Sequence, residues 1–234
     1  LQQIYLFGIV MNHPSDPDSI LPVDEQVEAV VAQAVTTLLP DLPPTRMRRF
    51  AHWVSTLLSP TALAMVTVVL AGMNIHNRQG WLWILAMAFG LIGLPSLYLF
   101  WLLKRGKITD YDVFLRQQRY KPYFVMLACF VGTLVVMWLG HAPEILITLA
   151  LAVSVMTTIM MCINFRWKIS AHAAAAASFA IMTIQLIGMA ASPVFLAVPL
   201  VAWSRVTLKR HTLGQTIGGA LLGTGVYTLA FILR

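Results

Sequence analysis

Trp81–Leu103 is a run of 23 residues without one charged side chain. A bilayer core about 30 Å thick takes about 20 apolar residues to cross as a helix, and a backbone in hydrocarbon must satisfy its own hydrogen bonds. A helix is therefore the form this stretch can take in a membrane. Trp81, Trp83 and Trp101 near its ends suit the membrane–water interface. Further apolar stretches lie near Val54–Met73, Pro122–Gly140, Pro143–Ile163, Ser170–Ala191, Ser192–Trp203 and Thr212–Leu233. With 59% hydrophobic and 11% charged residues, the chain is no soluble globular domain. The expected fold is all-α, an integral membrane bundle of about six to seven transmembrane helices.

Punctuation along the chain divides it into a segment over 1–45 and a helical membrane domain over 46–234. Leu1–Asn12 is apolar but too short to span, and His13–Pro22 is a polar, turn-rich connector. Val23, Val27, Val30, Val31, Ala34, Val35 and Leu38 recur at helical spacing, with Asp24, Glu25 and Glu28 near the start. That amphipathic helix lies at the membrane interface or packs on the bundle, and its acidic face favours packing. Pro60 is placed to kink the first span, and Pro193 and Pro199 to tilt the sixth. In the last span, Gly214, Gly218, Gly219 and Gly223 mark a helix-contact face, as Ala173–Ala177 do in the fifth.

The net charge of +7 comes from short loops between apolar stretches, which points to lipid headgroups and membrane orientation and away from nucleic acid. Of the 16 Lys and Arg residues, only Arg78 and Arg234 fall on one side of the expected spans. The excess on the other side places it at the cytoplasmic face of a bacterial-type membrane. Cys129 and Cys162 lie in apolar spans, as packing thiols. Asp110 and Asp112 have no His at a ligand-like spacing, so neither a metal nor another cofactor is expected.

On the basic side, two clusters combine cations with histidine at the mouths of apolar stretches. One is Lys168-Ile169-Ser170-Ala171-His172; the other, Ser204 to Gln215, reads SRVTLKRHTLGQ. Arg205 is a planar fork suited to phosphate oxygens, and His211 is a candidate nucleophile or acid/base. Gln215, four residues on, falls on the same helix face as His211. The two clusters, and the loop containing Arg116, Arg119 and Lys121, are separated by pairs of spans and so emerge on one side.

These clusters resemble the signature of the type 2 phosphatidic acid phosphatase superfamily, membrane enzymes related to vanadium haloperoxidases. The third family motif, Ser-Arg, five residues, His, three residues, Asp, is matched at Ser204, Arg205 and His211, with Gln215 in place of Asp. The second, Pro-Ser-Gly-His, stands as Ile169-Ser170-Ala171-His172, and the first is loosely echoed over Asp112–Pro122, where Arg119 is the best counterpart of its Arg. The likeness covers about Lys104 to Leu233. It implies a phosphatidic-acid-phosphatase-like helical core and metal-independent hydrolysis of a lipid phosphate or diphosphate, of polyprenyl diphosphate or phosphatidate type.

By that resemblance, Arg205 and Arg119 clamp phosphate oxygens, with Ser170 and helix amides assisting and Arg116 and Lys168 as further basic groups. His211 attacks phosphorus to form a phosphohistidine, and His172 protonates the leaving oxygen. Gln215 stands where a carboxylate would orient His211, and Asp112 is the alternative source of one. Membrane lipids are the expected partners. Against the enzyme stands a silent phosphatase-like subunit of a larger membrane complex, favoured by Ala171, Gln215 and the degenerate first motif. A transporter is the third alternative, with Glu144 at a span end the one charge available to it.

Overall fold

The computed structural model describes residues 46–73, 75, 78–108, 113 and 116–234, with the side chains of residues 116 and 117 outside that description. The chain divides into Leu1–Pro44 and Thr45–Arg234. The amphipathic helix expected over 23–39 therefore lies outside the described residues, as does Asp112. Among the described residues there is no strand. Helix α1 (Arg46–Leu57) leads into α2 (Pro60–Met73), and α3 (Arg78–Ala88) runs through a π-helical turn at Phe89–Gly93 into α4 (Leu94–Lys104). A 3₁₀ turn at Arg116–Arg119 precedes α5 (Tyr120–Leu139) and α6 (Glu144–Asn164). Then come α7 (Ala171–Ile187), a 3₁₀ segment at Met189–Leu196 joined to α8 (Ala197–Thr207), and α9 (Leu213–Ile232).

Among the described residues, five helical stretches are long and apolar enough to cross a membrane, and α1 with α2 makes a sixth if that bent pair is one span. The bend is 42° and falls at Pro60. Pro60 is the first residue of α2, where a missing N–H costs nothing, and Ser59 Oγ accepts the N–H of Ala62 at 3.3 Å. Arg46, Arg48 and Arg49 sit within the first turn of α1. Outward faces carry Trp53, Val69, Leu85, Leu97, Val136, Trp138 and Leu221, all exposed. An apolar surface of that extent is suited to lipid.

The expected boundaries of the fifth and sixth spans are corrected. Helix α7 ends at Ile187 because Gly188 adopts φ +102°, a value that stops the helix and that a Cβ would resist. Met189–Leu196 then belongs to the next span, Met189–Thr207. Pro199 falls in the first turn of α8, where it breaks no hydrogen bond.

At 17 residues α7 is too short to count among the full-length spans, yet it is the axis of the bundle. Ala173, Ala174, Ala176, Ala177 and Ala180 are completely buried, and α7 packs on α2, α8 and above all α9. Lipid tails are as apolar as the side chains, so helix association in a bilayer rests on close packing more than on hydrophobic transfer. The glycine face supplies that closeness. A Cβ at Gly219 would strike the carbonyl of Ser170, and one at Gly223 the carbonyl of Ala174. Gly218 makes room for the Trp167 ring, while nothing lies near Gly214.

Candidate functional site

The motif loops meet at one end of this bundle, and local hydrogen bonding explains the spacing of the third motif. Arg205 lies in the last turn of α8. The chain leaves the helix through a Schellman turn: Arg210 N–H donates to the Arg205 carbonyl at 3.0 Å and Lys209 N–H to that of Val206 at 2.9 Å. Lys209 takes the left-handed position, φ +54°. His211 N–H also donates to the Arg205 carbonyl, at 3.3 Å, so five intervening residues return the histidine to its arginine.

Thr212 then caps α9. Its hydroxyl accepts the N–H of Gln215 at 3.3 Å, and Gln215 Oε1 accepts the N–H of Thr212 at 3.2 Å, a complete capping box. The same Oε1 lies 3.0 Å from Nδ1 of His211. A backbone N–H can only donate, so the Gln215 atom facing it must be the oxygen. The proton on the imidazole must then sit on Nδ1, leaving Nε2 with its lone pair. Gln215 reaches His211 through its place in the capping box and not across one helix face, since His211 precedes the Thr212 cap, and it fixes the tautomer.

The second motif is set by the other end of that packing. Ser170 is the N-cap of α7, its Oγ accepting the Ala173 N–H at 3.4 Å, and its N–H donates to the Gln215 carbonyl at 3.2 Å. Ser170 is fully buried, and as a cap acceptor it keeps its own O–H for donation. His172 lies buried in the first turn of α7. Arg119, also buried, ties the first loop to the second. Its Nε donates to the Val113 carbonyl at 2.7 Å, and Nη1 to that of Ile169 at 3.4 Å. It also bonds the hydroxyl of Tyr123, one turn into α5.

The His211 ring, 7% exposed, is held to a pKa of about 3 against an ordinary 6.5. Burial is the largest cause, followed by the positive charges of Arg119, Lys168 and Arg205; the bond to Gln215 acts weakly the other way. Three cations drawn from three separate segments of the chain therefore act on one neutral imidazole. Of the expected site residues, His211, Gln215, Arg205, Arg119, Lys168 and Ser170 come together here. Arg116 is in the 3₁₀ turn, its side chain outside the description. Ser204 turns away, its Oγ donating to the Val201 carbonyl at 2.8 Å.

Two further residues join the site. Ser55 Oγ, on the buried face of α1, accepts from Nη1 of Arg205 at 2.8 Å across 150 positions of sequence. No local pattern marks it. For Thr212 the sequence carries a signal that the motif reading missed: Thr-x-x-Gln ahead of an apolar run is the form of a capping box. Comparison with known family models, curated proteins and solved structures returned no match.

Proposed function

We propose that this cluster binds the phosphate of a membrane lipid and hydrolyses it, with His211 as nucleophile. The observation that carries the reading is the imidazole fixed by Gln215 as the Nδ1–H tautomer, neutral, amid Arg119, Lys168 and Arg205. A buried ring with a free lone pair beside several cations suits attack on an anionic centre. Nε2 of His211 would attack phosphorus as the bond from phosphorus to the lipid oxygen breaks, and that oxygen would take a proton from His172, the role the resemblance gives it. Water would then attack phosphorus, giving its proton to His172. The P–N bond would break, returning the electron pair to Nε2 and releasing phosphate. Arg205, Arg119 and Lys168 would hold the oxygens, and Ser170 O–H would donate to one. Arg116 and Asp112 stay candidates within the same loop. The cytoplasmic face is the proposed side for this site, on the positive-inside asymmetry of the sequence.

A second reading has its own observation. Arg119 is bonded to the carbonyls of Val113 and Ile169, and Arg205 to Ser55, as scaffold arginines in a silent subunit would be. Phosphate release by purified protein from a panel of polyprenyl diphosphates and phosphatidates separates the two. The enzyme reading expects turnover that His211→Ala abolishes, that His172→Ala slows most for poor leaving groups, and that a chelator leaves unchanged. Acid-labile phosphate should be trapped on His211. Full activity in His211→Ala would end the phosphohistidine mechanism, and inertness across the panel would leave the silent subunit.

A further inference from the structure

Below the basic cluster the bundle encloses a cavity of about 190 Å³. Along α6 its lining runs from Met160 to Leu149, eleven helical rises or roughly 16 Å of helix. Spread over that depth, the volume makes a narrow passage and not a chamber. Its walls are apolar with a few hydroxyls, and two of these are bonded within the protein: Thr67 to the Leu63 carbonyl at 2.8 Å and Ser178 to the Met156 sulfur at 3.3 Å. The passage reaches the outside at Thr61, an exposed lining residue, on the side where α2 and α4 barely touch. Its lining also includes Ala171, which stands between Ser170 and His172, and Tyr123, whose hydroxyl is bonded to Arg119 of the cluster.

We infer that this passage takes the hydrocarbon chain of a single-chain lipid phosphate, with Tyr123 marking the junction between chain and phosphate. The inference rests on the cluster being a phosphate site. Adjacency decides the occupant: a cationic cluster beside one narrow apolar cavity complements an anionic headgroup on one chain, as in a polyprenyl phosphate or diphosphate. A diacyl lipid branches close to its phosphate and would leave its second chain without a place in the tube. The substrate class is accordingly the single-chain one.

The test uses the whole chain in detergent with a long-chain alkyl phosphate bearing a diazirine at mid-chain, and the matching alcohol as a probe without phosphate. Mass spectrometry after irradiation should find adducts on lining residues such as Met126, Met156 and Met160. Ala64→Phe and Val153→Phe, which put bulk into the passage, should abolish those adducts without lowering the melting temperature. A polyprenyl phosphate should compete at least about tenfold better than phosphatidate, a difference of about 1.4 kcal/mol. Adducts confined to outward-facing residues, or equal competition by phosphatidate, would overturn the inference. Failure of the two readings is separable: labelled lining with no phosphate release from any substrate sinks the hydrolase alone, and phosphate release with an unlabelled lining sinks the chain site alone.

Discussion

Replacing Gln215 by Met keeps the length and bulk of the side chain and removes its oxygen. Two hydrogen bonds end on that oxygen, 3.0 Å from His211 Nδ1 and 3.2 Å from the Thr212 N–H. The first matters for chemistry. Without an acceptor, the buried ring loses the preference that places its proton on Nδ1, and a lost buried hydrogen bond is worth about 1–3 kcal/mol. At 1.36 kcal/mol per factor of ten, turnover should fall about 5- to 150-fold, with KM much less affected, since Gln215 acts through His211. The second bond belongs to the cap, and losing a cap costs about 0.5–2 kcal/mol of stability. Thr212→Ala removes the other half of the same box without touching His211, so it should lower the melting temperature by a similar amount and leave turnover nearly intact. Gln215→Glu retains the reach, supplies a charge that stabilises the imidazolium formed on attack, and should raise turnover; Gln215→Asp, one methylene shorter, cannot keep both contacts and should raise it less. Phosphate release from a competent substrate, with thermal melts on wild type and all four variants, reads every arm. Equal turnover in wild type and Gln215→Met, or equal losses in Gln215→Met and Thr212→Ala, would refute the tautomer argument.

Helix packing gives a second prediction: Gly223→Ala drives a Cβ into the Ala174 carbonyl and should cost about 1–3 kcal/mol, whereas Gly225→Ala, with nothing near it, should be neutral or slightly stabilising in a melt. For Arg205, Ser55→Ala should weaken the clamp by about 1.5–3 kcal/mol, the worth of a hydrogen bond to a charged group, and Arg205→Lys should not recover it because an ammonium lacks the planar fork; inhibition by inorganic phosphate measures both. His211 also predicts a pH effect. Its folded pKa of about 3 lies below the unfolded value of 6.5, so the unfolded chain takes up the proton first and stability falls as pH drops from about 6.5 towards 3, by up to about 1.36 kcal/mol per unit. The melting temperature of His211→Gln should decline less over that range than that of wild type, and parallel curves would count against the depressed value.

How much of this was legible in the sequence depends on the range of the interaction involved. The apolar runs announced most of the spans, because a bilayer reads composition over about 20 residues at a time. The end of α7 was not announced, since Gly188 stands in an uninterrupted apolar stretch and only its φ of +102° reveals the break. The Arg205–His211–Gln215 geometry was readable because each step is local: a helix end, a Schellman turn and a capping box. Ser55 was not, because its role depends on α1 packing against α8, which no nearby residue encodes. Arg119 falls between the two cases. Its loop was found by a loose motif, but its bonds to Val113, Ile169 and Tyr123 come from tertiary structure.

The choice of Gln over Asp at position 215 bears on the charge of the site as much as on the histidine. Arg119, Lys168 and Arg205 act together on His211, and among the described residues no carboxylate contributes to its shift. Burying like charges near one another is costly, and the cost falls when an anion joins them. A carboxylate at 215 would supply part of that anion permanently. It would assist the histidine as a nucleophile, but it would also compete with phosphate for the same cations. An uncharged amide holds the imidazole in the Nδ1–H tautomer and, on the proposed reading, would leave the whole positive field to a bound anion. The expected consequence is a site that binds its anion more tightly and turns it over more slowly than a carboxylate-bearing one. On this argument Gln215→Glu should weaken phosphate inhibition in the same protein in which it raises turnover. A silent scaffold has no reason to couple those two quantities.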